Sequence, residues 1–216
     1  DDPNTIGAGA VLPIVSTSLL HRADRTLLSG PILDLTVGAV ESLDFTLVAS
    51  LESQSQSETD PSWQSSELFI PGVKWRFVAK DGVRVAFSPA IGINRIAPKR
   101  AFFLLPVQAE FSIPDSTWRL GFDVGYVPVI DDPDRWFVVP YALTSLRKEH
   151  ILSFELWSLG SGPLEAVDLG GSVGVIARVA HTPLQVLAAF GTGFVSFGRQ
   201  RVLTRLYLGA QYTFSP

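Results

Sequence analysis

Hydrophobic residues recur with a period of two over almost the whole chain, and that single regularity removes most folds from consideration. In Trp118-Arg119-Leu120-Gly121-Phe122-Asp123-Val124-Gly125-Tyr126 the even positions are large and apolar, while the odd ones are charged or glycine. Successive side chains of a strand point to opposite faces, so such a segment has one apolar and one polar side. The alternation returns in residues 43–52, 73–77 and, after Asp81-Gly82, 83–88; it is softer in 107–111, 152–156, 167–170 and 206–214. No 3.6-residue stripe runs beyond two turns. The chain reads as all-β, with about twelve strands of roughly nine to thirteen residues each.

The connections alternate in length. Short turns fall at Glu41-Ser42, Lys80-Asp81-Gly82, Pro114-Asp115-Ser116, Arg147-Lys148-Glu149 and His181-Thr182-Pro183, and longer links at 21–30, 53–66, 96–100, 130–134, 160–165 and 198–201. An even-stranded up-and-down barrel with short turns at one rim and longer loops at the other produces this rhythm. Composition does not break along the chain, so residues 1–216 are read as one barrel domain. The Ser-rich, acidic stretch 52–67 is a solvated loop between two strands.

Alternation alone does not say which face is inside. Strands of soluble proteins are typically five or six residues long, whereas runs of about ten match a tilted membrane crossing. Charged residues make up 18% of the chain, against roughly a quarter in soluble domains. No apolar run is long enough for a spanning helix. Phe45, Trp75, Phe77, Phe111, Trp118, Tyr212 and Phe214 share the apolar face near the short-turn ends, and Tyr126 and Phe137 are expected on that face at the other end. Two aromatic bands are what the two membrane interfaces favour.

The last strand, Tyr207-Leu208-Gly209-Ala210-Gln211-Tyr212-Thr213-Phe214, resembles the C-terminal signal by which bacterial outer-membrane barrels are recognised for assembly: a polar residue, glycine two positions on, then two alternating aromatics. Ser215-Pro216 after the final aromatic departs from that pattern. The resemblance implies a transmembrane antiparallel barrel in the bacterial outer membrane, in contact with its lipids, with both termini in the periplasm. The start at Asp1-Asp2-Pro3, without methionine, is that expected of an exported chain freed of its signal peptide. Uneven loops and mid-strand prolines point to a natural sequence.

Pro13, Pro89, Pro106 and Pro140 fall within the strands, where proline cannot donate to a ladder; bulges are expected there, near the outer rim. A net charge of −4 offers no basic footprint for nucleic acid, and the absence of cysteine excludes thiolate chemistry. None of the three histidines has a second one at metal-ligand spacing. His150 and Ser153, three apart, point to opposite faces, which argues against a histidine–serine hydrolase. Gly7-Ala8-Gly9-Ala10 precedes no helix and suggests no nucleotide site. Gly170-Gly171 and Gly191-Thr192-Gly193 mark crowded places on the wall. No cofactor, metal or catalytic residue is assigned.

What remains is a set of charges expected to face the lumen: Asp34, Asp44, Glu52, Glu110, Asp123, Glu155 and Asp168 against Lys74, Arg76, Arg84, Arg119, Arg178 and Arg205. Inside a barrel these must be paired or hydrated. Paired, they form a salt-bridged filling. Hydrated, they line a pore in which separated charges of opposite sign set a transverse field, with Lys74, Arg76, Arg84 and Arg119 as a basic wall for an anionic solute faced by Asp34 and Asp44. The expected function is a narrow passive channel for small solutes. The alternatives are a non-conducting barrel that anchors an envelope protein assembly through a partner at its rim and, behind it, an envelope enzyme acting on lipids with His150 as its candidate base.

Overall fold

The structure, a computed structural model, describes residues 4–22, 25–55, 63–94, 101–130, 132–147, 150–162, 166–195 and 201–215. The described strands are β1 (Val11–Arg22), β2 (Arg25–Val40), β3 (Leu43–Ser55), β4 (Trp63–Lys80), β5 (Val83–Phe87), β6 (Ala90–Asn94), β7 (Ala101–Ser112), β8 (Trp118–Val127), β9 (Arg135–Arg147), β10 (His150–Ser161), β11 (Ala166–Arg178), β12 (Leu184–Val195) and β13 (Arg201–Tyr212). Except for β5 and β6, each pairs antiparallel with the next along the chain. β5 and β6 are two halves of one stave, each flanked by β4 and β7 and separated by Ser88 and Pro89. β1 pairs with β13 from Ile14↔Gln211 to Arg22↔Leu203, so the sheet closes into a twelve-stave barrel. Lys148 and Glu149 of one expected short turn, and 23–24, 56–62, 96–100, 131, 163–165 and 198–200 of the longer links, lie outside the described residues.

Local sequence explains the turns. Asp81 and Gly82 have φ of 52° and 79°, the paired positive values of a tight hairpin turn that only glycine and small polar residues adopt readily. At the opposite end of the chain, Val11 and Phe214 exchange backbone hydrogen bonds of 2.9 Å each, so the C-terminal aromatic motif lies on the seam that closes the barrel.

The molecule is inside out relative to a soluble barrel. Its largest fully buried side chains are Gln108, Glu110 and Asp44, while Leu156, Leu208, Phe194, Phe190 and Val173 are among many large apolar groups exposed on the outer face. Such an apolar belt is solvated by lipid, not water. Near the short turns, Trp75 lies 5.6 Å from Phe77, Trp118 lies 6.0 Å from Phe154 and Tyr212 lies 4.4 Å from Phe214, ring centre to ring centre. At the other rim Tyr126 donates a hydrogen bond to Asp134, with Trp136 opposite it in register.

Two expectations need correcting. Phe137 does not join the outer aromatic band: it pairs with Gly125 on the inward register, and its ring fills the space a Gly125 side chain would take. Pro89 and Pro106 do not lie near the outer rim. They lie one register step apart on adjacent staves in the wall, Pro106 opposite Ser88 and Pro89 opposite Leu105, where the ladder is interrupted between β5 and β6 and the Ser88 N–H bonds the Pro106 carbonyl at 3.0 Å. Pairing between β9 and β10 similarly lapses between Tyr141 and Val138, around Pro140.

Glycine and aromatic rings are matched across the ladder. Gly92 pairs with Phe102, Gly121 with Tyr141, Gly125 with Phe137, Gly160 with Trp136 and Gly170 with Trp157, and in each case the ring lies where a glycine Cβ would stand. A ring laid over a glycine thickens the wall without projecting far from it. Gly121→Val is expected to lower stability by about 1–3 kcal/mol through overpacking. Because Tyr141 is the group displaced, adding Tyr141→Ala is expected to cost less than the sum of the single changes, a coupling measurable from urea unfolding midpoints in lipid vesicles.

Candidate functional site

The site is the inner wall, and strand register positions its residues. β8 presents Trp118, Leu120, Phe122, Val124 and Tyr126 outward, leaving Arg119, Gly121, Asp123 and Gly125 inward. Carrying this parity through the paired registers places all thirteen candidate charges on inward positions. His150, opposite Ala177, falls on the outward register, and Ser153, opposite Gly174, on the inward one, so the two share no face.

The tightest constellation is built on Glu110. Its carboxylate is fully buried and accepts hydrogen bonds from Arg84 Nη1 at 3.1 Å and from Arg119 Nη1 at 3.2 Å; the two arginine side chains remain about one-third and one-quarter exposed. β7 lies between β5 and β8, which is why one acid reaches both cations. One negative charge between two guanidinium groups leaves the cluster with a net positive charge. Beside it Gln108 is buried and accepts from the Ser88 hydroxyl at 3.4 Å.

A second group begins on the adjacent stave, β4. Asp44 pairs in register with Lys74, whose charge also bears on Asp34, and Arg76 donates to the Glu41 carbonyl in the β2–β3 turn at 2.7 Å. Asp44 is fully buried and accepts the Ile6 N–H at 3.1 Å. On the opposite wall Glu155 accepts from the Ser172 hydroxyl at 3.1 Å. Arg178 and Arg205 are exposed and have no ion-pair or hydrogen-bond partner among the described residues.

Distance along each strand from the short-turn rim sorts these charges into layers. Arg84, Arg119 and Asp44 are second in their strands, Glu110 is third from its end, Arg178 is last, and Arg76, four residues from the end of β4, bonds the β2–β3 turn; Lys74, opposite Asp44, is six residues from the end of β4. Asp34, Asp123 and Glu155 lie five or six residues further in, which at about 2.5 Å of axial rise per tilted residue is roughly 12–15 Å from that rim. Glu52, Asp168 and Arg205 lie deeper still. The short-turn mouth therefore carries four bases against two acids, with three acids and Lys74 above them. The segregation runs along the axis, not across the lumen as the transverse-field reading expects.

Sequence reasoning missed the inward aromatics. Tyr141 and Trp157 are buried on the inner wall, and Trp157 lies over both Gly170 and Gly193. The signal was the glycines themselves, which recur on polar-face positions opposite an aromatic on the next strand.

No protein-family sequence profile matches the chain, and no curated protein sequence matches it. Solved structures do. The chain is similar to the COG4313 outer membrane channel from Pseudomonas putida F1, with a TM-score of 0.78, 13% identity, and coverage of 99% of this chain and 98% of that one. It is also similar to the KdgM porin, with a TM-score of 0.63, 10% identity, and coverage of 94% and 99%. The β-domain of the Bordetella autotransporter BrkA matches with a TM-score of 0.64, 10% identity, and coverage of 96% and 100%. The fold is that of bacterial outer-membrane β-barrels.

Removing the shared carboxylate leaves two half-buried guanidinium groups facing each other. Glu110→Ala is expected to destabilise the barrel by about 2 kcal/mol or more, whereas Glu155→Ala, which breaks one hydroxyl contact, should cost about 1 kcal/mol. Urea unfolding followed by tryptophan fluorescence checks the order of the two.

Proposed function

We propose that this barrel resides in the bacterial outer membrane, short-turn rim toward the periplasm, and acts as a narrow passive channel for small solutes with a preference for anions. The observation that carries the reading is the pair of unmatched, exposed cations on the inner wall, Arg178 and Arg205. An ionised group without a partner inside a lipid-embedded barrel is tolerable only if water reaches it. A hydrated wall with a basic mouth admits anions more readily than cations. The descriptions of two similar structures, as a channel and a porin, support the same reading.

A second reading, a non-conducting barrel that anchors an envelope assembly, draws on the buried Glu110 cluster and on Tyr141 and Trp157, which fill part of the interior. Planar-bilayer recording separates the two. Discrete conductance steps that scale with salt are expected, and silence from a folded barrel would leave the anchor reading standing. In a salt gradient the reversal potential is expected on the anion side. Arg178→Glu with Arg205→Glu, which breaks no described ion pair, is expected to move it toward cations.

A further inference from the structure

We infer that residues 4–9 form a removable strap, folded into the short-turn mouth of the barrel, that covers the inner wall there and narrows the passage. This rests on the channel reading only for its effect on conduction. Gly38 is on the inward face, since it pairs with the inward Asp44. A Cβ on Gly38 would point into the lumen and collide with the Gly7 carbonyl, with Ile6 Cγ1 only 3.3 Å away. Gly7 and Ile6 are therefore inside the mouth and not beneath it.

Asn4 makes a further contact of its own, and the remaining bonds that hold the strap are few. Gly9 N–H donates to the Gly38 carbonyl and Gly38 N–H to the Ala10 carbonyl, both at 2.9 Å; the Thr5 hydroxyl donates to the Glu41 carbonyl at 2.6 Å; the Ile6 N–H reaches the Asp44 carboxylate at 3.1 Å. The chain reverses within residues 7–10, where Gly7 and Gly9 have φ of 92° and 75° and Ala10 N–H closes on the Gly7 carbonyl at 3.2 Å. Those positive φ values are the use of the Gly7-Ala8-Gly9-Ala10 motif: only glycine takes them without cost. Past the reversal the chain enters β1 and its continuous ladder, so residues 4–9 can swing away with Ala10 as the pivot while the barrel stays closed. Segments held by few bonds and no ladder lie at the low end of local stability.

Two changes in the full chain remove the strap from its seat: Gly38→Val, whose side chain takes the space of the Gly7 carbonyl, and deletion of residues 4–8. Heat-modifiable migration on gels verifies that each barrel folds. The chain has no cysteine, so Lys74→Cys, beside Asp44, gives a single reporter for a charged maleimide. Faster labelling and larger unitary conductance are expected in both variants than with the strap intact. Unchanged labelling and conductance in folded variants, with the parent conducting, would overturn the strap and leave the channel. Faster labelling with no conductance in any protein would overturn the channel and retain the strap as a cover.

Discussion

In hydrocarbon every backbone N–H and C=O must find its partner within the protein, and closure of the sheet is the only way strands can satisfy this. Everything else here depends on the pairing of β1 with β13. Once the ladder is a ring, each strand has a lipid side and a lumen side, and the two-residue period assigns every side chain to one of them. The apolar belt, the aromatic bands and the inward charges are consequences of that assignment and not separate features. It also explains why the two chain ends meet: the hydrogen bonds between Val11 and Phe214 extend the same seam to the short-turn rim.

The inner wall solves a packing problem by two different means. On one side, β5, β7 and β8 bring Arg84, Glu110 and Arg119 together, and charge-assisted hydrogen bonds offset part of the desolvation of a fully buried carboxylate. Around β9 to β12, aromatic rings lie across glycines and bury themselves against the wall. The rings are packed close against the wall there, while Arg178 and Arg205 are exposed.

Much of this was legible in the sequence, because a membrane barrel writes its topology in alternation. The run from Trp118 to Tyr126 shows both faces at once, and Asp81-Gly82 marks a turn without ambiguity. Phe137 departs from the expectation because aromatic character alone does not mark the lipid face: its partner Gly125 on the polar register leaves space for a ring inside. The prolines differ for a related reason: Pro89 and Pro106 each look like an isolated irregularity in sequence, and only the register shows that they share one interruption of the ladder. The shared carboxylate of Glu110 was out of reach altogether, since it depends on which strands flank β7 and at what offset. Likewise the charges could be named, but their order along the axis depends on stagger between strands.

That order has an electrical meaning. In the proposed channel, a basic belt at one mouth followed by an acidic layer further in would be a junction between two oppositely doped regions of one conduit. Under one polarity of voltage, anions drawn in past the belt and cations drawn in past the acidic layer accumulate between them; under the other, both are swept out and the space between is depleted. A pore lined in this sequence would rectify, passing ionic current more easily in one direction than in the other, without any moving part.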